Sequence, residues 1–550
     1  MMRDNINCKL NKIFTGRDYF WPVFFVTIFF ACLPLFTVNC INGHDVIYHL
    51  LRIEALKSGI AEGLPFLRIN VLFLGGEGYA SSLFYPDTLL YIPALLRLAG
   101  FSINSSYHIF IAVTIILGFL SAYFSAKIIS ADRFASLITA VVFTLAQYHL
   151  GDIYTRSAVG EFTALIFLPL IIAGLWDFSQ NELRRPWLLI SGMTGVILCH
   201  TLTTIFSLGL CLIIFIFNIR KTIKNPRIFL KLILSALFCL ALTAFYYLPV
   251  IEQMASASFK YTKVSFDLNY EKLLLKDVFA NQYKSMGIAV FIPLFSIFFI
   301  KHEKHRVIFA DILTATGILF CLCSTGFFPW KRLASHLTFI QFPWRLFIIA
   351  TPLLAFSSGI YLSEFLNESR DNRPLLRKGL LIAVLSVMAV SAVGNYSVND
   401  EGYYSYSDDY FNYAPYTAEI IGGEWLPSSV SDRQKLVKDS NIAYTVDDGE
   451  IEVNRDRNSL SVDLSAYSGQ YIDVPFVYYK GYKATDADGN ALTIDGSGEN
   501  GRIRVWLNGE NYVKVYYAGT TIQVISDILS IFAWLAAIAL IIRNKQQKTN

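Results

Sequence analysis

The feature that most constrains this chain is a series of twelve apolar stretches, most of them long enough to cross a lipid bilayer. The hydrocarbon core of a bilayer is about 30 Å thick, which takes roughly 20 residues of helix. Only 16% of the 550 residues are charged and 54% are hydrophobic, too little charge to cover a soluble protein of this size. The sequence therefore predicts a polytopic α-helical membrane protein with helices at about 19–41, 106–127, 134–150, 161–178, 187–204, 205–219, 228–250, 286–300, 307–325, 342–363, 379–395 and 522–542.

The distribution of basic residues predicts how the chain is oriented. Half of the 46 Lys and Arg residues fall in the two terminal tails and in the short loops that twelve helices would place on the same side as those tails. Short basic loops remain in the cytoplasm. We therefore expect both termini in the cytoplasm and the longer loops outside it. The first apolar stretch is too long for a signal peptide, and we expect it to remain as a helix.

Two long outer segments define the predicted domain organisation. Segment 42–105 carries apolar residues at helical spacing and a short helix after Pro86, which indicates amphipathic helices at the membrane interface. Segment 396–520 has alternating strands with a predicted hairpin turn at Asn508-Gly509 and another turn at Asp488-Gly489, which indicates a small β-domain. The expected domains are a multi-pass membrane domain (1–395), an extracytoplasmic β-domain (396–520) and a last helix with a basic cytoplasmic tail (521–550).

The first outer segment opens on an unusual group of polar residues, in "NGHDVIYHLLRIE" from Asn42. On a helix, Asp45, His49 and Arg52 lie within about 60° of one another, and the helix dipole favours a carboxylate in the first turn. A base held at the membrane surface beside donors that can bind an anion suits general-base catalysis. The alternative is an interfacial helix with a solvated face, on which Asp45 is only a cap.

Other polar residues also fall near the predicted outer ends of helices. In "GDIYTRSAVGEF", Asp152, Arg156 and Glu161 could orient a phosphate or a sugar hydroxyl, or Arg156 could be a structural residue clamped by the two carboxylates. His200 is a polar residue at membrane depth, where such residues face a cavity or a neighbouring helix. Glu252 follows aromatic residues typical of an interfacial belt.

A basic and aromatic stretch, "FPWKRLASHLTFIQFPWRL", contains Lys331, Arg332 and Arg345. Arginine forks match phosphate oxygens, so these cations could hold a lipid-linked phosphate, although an interfacial belt would look similar. The sequence contains no P-loop, nucleotide-binding fingerprint, GxSxG motif or quartet of metal ligands. We expect neither a metal nor another cofactor, and no motif supports a divalent cation.

Polar residues at the outer ends of helices indicate chemistry at the outer surface, where nucleotide sugars and ATP are absent. A biosynthetic reaction there needs an activated donor that crosses the membrane, and a polyprenyl-phosphate sugar is such a donor. Transfer of its sugar requires a carboxylate to deprotonate the acceptor hydroxyl and cations to stabilise the departing phosphate.

Several words of the sequence carry a resemblance to a known group: "GHDVIYHLLRIEAL", "IYTRSAVGEFTALIFLPL", "CHTLTT", "FYYLPVIE", "IQFPWRL", "GEWLP" and "VPFVYYKGYKA". The chain resembles the GT-C superfamily of membrane glycosyltransferases, and within it the bacterial YfhO-like group, also labelled 6-pyruvoyl-tetrahydropterin synthase-related. That label has no bearing on pterin chemistry. The resemblance implies a catalytic aspartate in the first outer loop, which corresponds to Asp45, and a second acid, for which Asp152 or Glu161 is suitable. Val46 follows Asp45, so the paired Asp-Glu of some superfamily members is absent.

The predicted function is transfer of a sugar from a polyprenyl-phosphate donor to a cell-surface glycan or glycolipid, at the outer face of a bacterial cytoplasmic membrane and without nucleic acid. Asp45 is expected to be the general base, with His49 secondary. The predicted donor-phosphate ligands are Arg52, Arg156, Lys331, Arg332 and Arg345, and the predicted orienting residues are Asp152, Glu161, His200 and Glu252. The alternatives are a transporter or flippase of lipid-linked sugars, a polysaccharide polymerase or ligase, and a non-catalytic glycan scaffold.

Overall fold

The computed structural model describes residues 19–260, 267–368, 374–398, 402–407, 423–447, 449–456 and 458–549. It is mostly helical, with long apolar helices and a C-terminal β-sheet region, which confirms the predicted class of a polytopic helical membrane protein. The chain forms two compact units. The helical unit comprises Met1–Val46, Asn104–Leu237 and Phe266–Tyr406, and the mixed unit comprises Ile47–Ile103, Phe238–Ser265 and Ser407–Asn550.

The helices alternate between long apolar elements and short connecting turns. In chain order they are α1 (Phe20–Ala31), α2 (Val46–Ala61), α3 (Ser81–Phe84), α4 (Tyr91–Leu98), α5 (Ile103–Ser130), α6 (Arg133–Thr144), α7 (Gln147–Tyr154), α8 (Val159–Ala164), α9 (Leu168–Asn181), α10 (Trp187–Ile197), α11 (Thr201–Phe217), α12 (Ile219–Lys224), α13 (Pro226–Ser256), α14 (Leu275–Val278), α15 (Phe291–Ser296), α16 (His305–Cys323), α17 (Trp330–Leu337), α18 (Phe347–Glu368), α19 (Pro374–Val398), α20 (Arg433–Lys438) and α21 (Thr521–Thr549).

The apolar stretches of the sequence all fold as helices. Within the described ranges, seven segments are long and apolar enough to cross a membrane: Ile103–Ser130, Val159–Asn181, Pro226–Ser256, His305–Cys323, Pro343–Glu368, Leu375–Tyr396 and Thr521–Gln547. An eighth is the pair α6 and α7, which is bent by 42°. The four other predicted helices overlap shorter apolar helices at Phe20–Ala31, Trp187–Ile197, Thr201–Phe217 and Gly287–Phe299. The first of them, predicted over 19–41, ends at Ala31, and Cys40–Ile41 form a strand. The number of crossings, twelve, stays a prediction.

The core of the helical unit is built around α18, nearly all of whose residues are buried. A Cβ atom at Gly359 would lie 2.4 Å from the carbonyl oxygen of Ala135 in α6, so only glycine allows the two helices to approach so closely. Ser357 donates a hydrogen bond to the carbonyl of Ala310 in α16 at 3.1 Å. Small and hydroxyl-bearing residues at such contacts are typical of helices packed in membranes.

The β-region of the mixed unit consists of two antiparallel sheets of five strands. One has the strand order β10-β11-β7-β3-β4 and the other β5-β6-β12-β8-β9. The strands are β3 (Ile442–Thr445), β4 (Glu450–Glu452), β5 (Asn454–Asp456), β6 (Ser459–Asp463), β7 (Tyr471–Val477), β8 (Tyr482–Thr485), β9 (Ala491–Leu492), β10 (Ile494–Asp495), β11 (Arg502–Trp506) and β12 (Tyr512–Tyr517). Alternate residues are buried along β6, β8 and β12, whereas β7 is buried along nearly its whole length.

Of the two predicted β-turns, one is a hairpin and the other is not. The turn at Asp488-Gly489 joins β8 to its neighbour β9, and Asp486 accepts hydrogen bonds from the backbone of Asp488 and Asn490. The turn at Asn508-Gly509 instead joins β11 to β12, which belong to different sheets. The hairpin prediction for Asn508-Gly509 was therefore wrong, because local alternation does not determine which strand becomes the pairing partner.

Helix α2 also differs from its prediction. Val46, Leu50, Leu51 and Ile53 are buried, but so are the polar residues between them, and only the last turn reaches the surface. The amphipathic interfacial helix expected from the spacing is therefore a buried helix. The spacing predicted a helix but not the contacts that cover its polar face.

A buried ion pair connects the first loop segment to the β-region inside the mixed unit. Glu77 is fully buried and accepts a hydrogen bond from Nε of Arg502 at 2.9 Å. Arg502 also donates to the carbonyl of Asp439, and the backbone oxygen of Glu77 accepts from the N–H of Val477 at 2.9 Å. Burial raises the pKa of Glu77 to about 7, against the opposing effect of Arg502. This carboxylate depends on its guanidinium partner to stay ionised.

We predict that Arg502→Met strongly destabilises the protein, because it leaves Glu77 buried without a counter-charge, at a cost of about 3–5 kcal/mol. Thermal unfolding of the purified protein, followed by tryptophan fluorescence, should show a large fall in Tm. Lys435→Met is the matched control, since Lys435 and Glu499 form a solvent-exposed pair. Equal shifts for the two variants would contradict the structural role of the buried pair, and the double variant Glu77→Gln/Arg502→Met should recover part of the loss.

Candidate functional site

The loop that leads to Asp45 is fixed by backbone hydrogen bonds within the helical unit. Strand β1 (Cys40–Ile41) pairs antiparallel with β2 (Tyr403–Tyr404). The N–H of His44 then donates to the carbonyl of Thr155, and the N–H of Asp45 donates to that of Arg156, each at 3.0 Å. The loop after α7 therefore serves as the docking edge for the residues that precede α2.

Gly43 makes this docking possible. A Cβ atom at residue 43 would lie 2.2 Å from Oγ of Ser157 and 3.0 Å from the carbonyl oxygen of Tyr154. Ser157 itself has a φ of 51°, in the left-handed region that costs a non-glycine residue about 1–3 kcal/mol. The backbone is thus strained on one side and lacks a side chain on the other, and the two segments meet in direct contact.

Asp45 is half-buried, and its carboxylate makes no hydrogen bond or ion pair with any residue that the structure describes. Helix α2 begins at Val46, so Asp45 precedes the helix and does not lie in its first turn as predicted. Asp45 does not act as a simple cap of α2 either, because its carboxylate accepts no hydrogen bond from the described residues of that helix. Burial raises the pKa of Asp45, although Arg156 and Arg345 act in the opposite direction. Asp45 is therefore an unpaired carboxylate within the electrostatic reach of two arginines.

Those arginines belong to a buried cluster of charges. Arg156 donates to Glu161 through Nη1 at 2.7 Å and through Nη2 at 2.8 Å, and Nη1 also donates to Asp152. Nε of Arg345 lies 2.9 Å from Oε1 of Glu161, and Tyr148 donates to Oε2 of Glu161 at 3.1 Å. The structure therefore brings Asp152, Arg156 and Glu161 together. Arg156 is clamped by the two carboxylates, as the structural alternative predicted.

Arg345 is held differently from Arg156. Gln341 accepts a hydrogen bond from its Nη1, and Gln341 has a φ of 63°, again a left-handed conformation for a non-glycine residue. Nη2 of Arg345 has no partner in the described part of the chain. The side chain of Arg345 is 13% exposed, against 6% for Arg156. Of the two guanidinium groups, that of Arg345 is the more available to a ligand.

Aromatic side chains surround this cluster. The guanidinium of Arg156 lies 4.7 Å from the ring centroid of Trp344, and Tyr283 meets Trp344 edge-to-face at 6.0 Å. Tyr283 also meets the exposed imidazole of His44 at 5.5 Å. Rings from three segments thus form a connected group that reaches the guanidinium of Arg156. Sequence reasoning missed Tyr283, Tyr148 and Gln341, because an uncharged tyrosine or glutamine gives no local sign that it will lie beside a buried charge.

His200 joins the edge of the cluster and also starts a helix. Its Nδ1 accepts from the N–H of Thr203 at 3.3 Å, which caps α11. The imidazole is near enough to Glu161 and Arg345 to interact with them electrostatically. The structure thus brings together six residues that the sequence singled out: Asp45, Asp152, Arg156, Glu161, His200 and Arg345.

The other predicted site residues have different partners. His49 and Arg52 are fully buried in the mixed unit, where Arg52 contacts His49 and pairs with Asp87 and with the carbonyls of Tyr85 and Pro86. Its donors are occupied by protein groups, which gives Arg52 a structural role in place of the predicted phosphate contact.

Glu252, also in the mixed unit, accepts from Thr520 and pairs with Lys480 at 3.1 Å. Lys331 and Arg332 are exposed on α17, with no partner among the described residues. No contact among the described residues joins Glu252, Lys331 or Arg332 to the charges around Arg156. The phosphate-binding role of Lys331 and Arg332 stays a prediction. Across the described ranges, no group of three His, Cys, Asp or Glu residues could hold a metal ion.

An assembly of apolar spanning helices with buried charges at their ends defines a polytopic membrane protein with a polar site. The chain belongs to the family of membrane proteins described as the 6-pyruvoyl-tetrahydropterin synthase related domain, whose model matches residues 83–398. An uncharacterized protein of Lactococcus lactis subsp. cremoris is similar to it, with 23% identity over 589 aligned positions that cover 96% of this chain and 95% of the relative.

Two solved structures are similar at a lower level. The arabinofuranosyltransferase AftD from mycobacteria has a TM-score of 0.44 and 15% identity, over 69% of this chain and 27% of its own. The oligosaccharyltransferase of Archaeoglobus fulgidus has a TM-score of 0.42 and 12% identity, over 73% of this chain and 58% of its own. The chain thus spans less than two thirds of either protein, and likenesses of this size say nothing about substrate.

We predict that Gly43→Ala displaces Asp45 and lowers Tm, because the added methyl group meets Ser157 and the backbone of Tyr154, which cannot both move away. Gly209→Ala is the control, since Gly209 lies in α11 with open space around its Cβ position and alanine favours helix. Thermal unfolding of the two purified variants should differ clearly. A Tm for Gly43→Ala equal to that of Gly209→Ala would show that the docked loop is not under steric constraint.

Proposed function

We propose that this protein is a glycosyltransferase that moves a sugar from a polyprenyl-phosphate donor to a hydroxyl of a cell-surface glycan or glycolipid. The observation that carries the proposal is the unpaired, half-buried carboxylate of Asp45, held beside the buried cluster of Arg156, Glu161 and Arg345. A general base must be free to receive a proton, and a departing phosphate needs a fixed positive charge.

The location of the site is part of the proposal. The asymmetry of Lys and Arg puts both termini and the short basic loops in the cytoplasm of a bacterial cell, and puts the loop that contains Asp45 on the other side of the membrane. Lipid-linked sugars are the activated donors that reach that side. The lipid chain keeps the donor in the bilayer, so the sugar and the phosphate are presented at the level of the helix ends.

Asp45 acts as the base in a single displacement. Its carboxylate removes the proton of the acceptor hydroxyl, the acceptor oxygen bonds to C1 of the sugar, and the bond from C1 to the phosphate oxygen breaks. The products are the glycosylated acceptor, polyprenyl phosphate and a proton on Asp45 that is later released to water. A pKa raised by burial makes Asp45 a stronger base than a solvated aspartate.

Arg345 is the cation best placed to receive the departing phosphate, because its Nη2 has no protein partner in the described part of the chain. Both terminal nitrogens of Arg156 donate to Asp152 and Glu161, so neither is free to bind the phosphate. Arg156 instead positions the carboxylates and contributes positive electrostatic potential. Arg156 and Arg345 lower the pKa of Asp45 and Glu161 raises it, so burial is the main effect that favours a proton on Asp45 during the transfer.

We predict that Asp45→Asn reduces transfer by about 10²–10⁴-fold, the usual contribution of general-base catalysis. Membranes from cells that lack the native gene and express each variant would be supplied with polyprenyl-phosphate hexose, and release of polyprenyl phosphate measured. Mass spectrometry of surface glycans from the same cells should show the loss of a hexose.

The matched control for that experiment is Asp488→Asn, at an exposed turn of the β-region, which should transfer sugar at the native rate. An Asp45→Asn protein that inserts normally and still transfers sugar would exclude Asp45 as the base. The native protein and the Asp45→Asn variant could instead move a lipid-linked sugar across the membrane of proteoliposomes equally well, without releasing polyprenyl phosphate. That result would favour a transporter and overturn the proposal.

The pH dependence provides a test with two opposite signs. Asp45 must be ionised to act, so kcat/KM falls as pH drops through its pKa. Arg345 lowers that pKa and Glu161 raises it. Arg345→Gln should therefore move the acidic limb of the profile to higher pH, and Glu161→Gln should move it to lower pH, in addition to any loss of rate. Arg184→Gln, at an exposed position of the same unit, should leave the limb unchanged. Shifts of the same sign in the two cluster variants would rule out Asp45 as the titrating base.

A further inference from the structure

The mixed unit contains a mainly apolar cavity. Its volume is about 520 Å³, and its walls are provided mainly by apolar side chains of α13, α21 and the segment between α2 and α4. Its apolar lining residues include Phe66, Leu67, Phe245, Ile531 and Trp534. A volume of several hundred cubic ångströms with apolar walls and a few polar groups is typical of ligand pockets, for which the usual range is about 300–1,000 Å³.

One wall of the cavity is a membrane helix whose hydrogen-bond ladder is interrupted. Pro249 has no N–H, so the carbonyl of Phe245 loses its helical donor. Nη1 of Arg68 replaces that donor at 2.7 Å. The hydroxyl of Ser530 accepts from the N–H of Phe245 and donates to the carbonyl of Ala241, each at 2.9 Å, and so lies between two groups that would pair in a continuous helix.

The contacts of Ser530 hold α13 and α21 together. Nε1 of Trp534 adds a hydrogen bond to the carbonyl of Leu242 at 3.1 Å. Open backbone groups are tolerated in a bilayer only where other groups satisfy them. Asp527, Ser530 and Trp534 lie on successive turns of α21, so the cavity follows about 10 Å of helix length from a charged end to an aromatic end.

The charges at the polar end are compensated in pairs. Nη2 of Arg68 donates to Asp527 at 2.6 Å, and Asp87 is paired with the buried Arg52. A phosphate would therefore find no free cation among the lining residues that the structure describes. The hydroxyls of Ser82 and Thr88 and the second oxygen of the 44% exposed Asp527 are without partners in the same part of the chain. These groups suit hydroxyls of an uncharged head.

We propose that this cavity binds one hydrocarbon chain of a neutral, hydroxyl-headed membrane lipid, such as a glycosyl diacylglycerol, with its head at the Arg68–Asp527 end. The chain enters between the bilayer-facing residues Ile531 and Trp534, which are 58% and 43% exposed. Hydroxyls of the head bond to Asp527, Ser82 and Thr88. Each residue that carries the proposal belongs to the mixed unit, and none has a role in the proposed transfer.

The test uses the purified full-length protein in detergent and three probes with known chemistry: glucosyl diacylglycerol, phosphatidylglycerol with the same acyl chains, and undecaprenyl phosphate. Native mass spectrometry at equal concentrations of the three probes gives the amount of each that the protein retains. We expect glucosyl diacylglycerol to be retained in excess. Equal or greater retention of either anionic lipid would overturn the proposal, as would the retention of none.

Variants then locate the bound lipid. Ser82→Trp fills the cavity near its polar end and should weaken retention of glucosyl diacylglycerol about tenfold. Thr88→Trp fills it from a second element and serves if Ser82→Trp does not fold. Ser335→Trp, at an exposed position in the helical unit, is the matched control and should retain the lipid as the native protein does. Retention that survives both cavity variants would place the lipid elsewhere and overturn the assignment.

Discussion

The ion pairs of Arg156 are the interactions on which the helical unit depends most directly. Its guanidinium lies between Asp152 and Glu161 in an apolar environment, where an unpaired charge would cost several kcal/mol. The same residue provides the carbonyl that accepts the N–H of Asp45. One residue therefore fixes the buried charges through its side chain and the loop of Asp45 through its backbone. The clamp that sequence reasoning treated as an alternative to function is what holds the candidate base in place.

Much of the fold could be predicted from the sequence because the bilayer allows so few solutions. The apolar stretches had to be helices, and the alternating segments after residue 440 had to be strands. Asp152, Arg156 and Glu161 could be grouped since they lie within ten residues of one another. Helix spacing, by contrast, placed Asp45, His49 and Arg52 together, whereas α2 begins only after Asp45 and the other two are buried in a different unit.

What the sequence could not reveal depends on contacts between distant segments. The partner of Arg502 is Glu77, 425 residues away, and the partner of Arg52 is Asp87. Neither pair has a local pattern, because the distance along the chain says nothing about which charges meet once the chain is folded. The same applies to Tyr283, whose neighbours His44 and Trp344 come from distant segments. Turn residues are equally ambiguous, as Asn508-Gly509 demonstrates by joining two sheets.

Charge compensation separates the structural ions of this protein from those available for chemistry. Arg52, Glu77, Glu252 and Arg502 each have an opposite charge in direct contact, and Arg52, Glu77 and Arg502 are almost completely buried. Asp45 has none, and Arg345 keeps one nitrogen without a partner in the described chain. A buried pair is stable only while it stays closed, so it cannot release a donor to a substrate without leaving a charge exposed to apolar surroundings. An unpaired carboxylate, as at Asp45, has no such restriction, and neither has a guanidinium such as that of Arg345, which keeps a spare donor besides its pair with Glu161. The closed pairs would lose free energy on binding an anion, which is the physical reason to propose Asp45 and Arg345, and not the more numerous charges elsewhere in the chain, for the reaction.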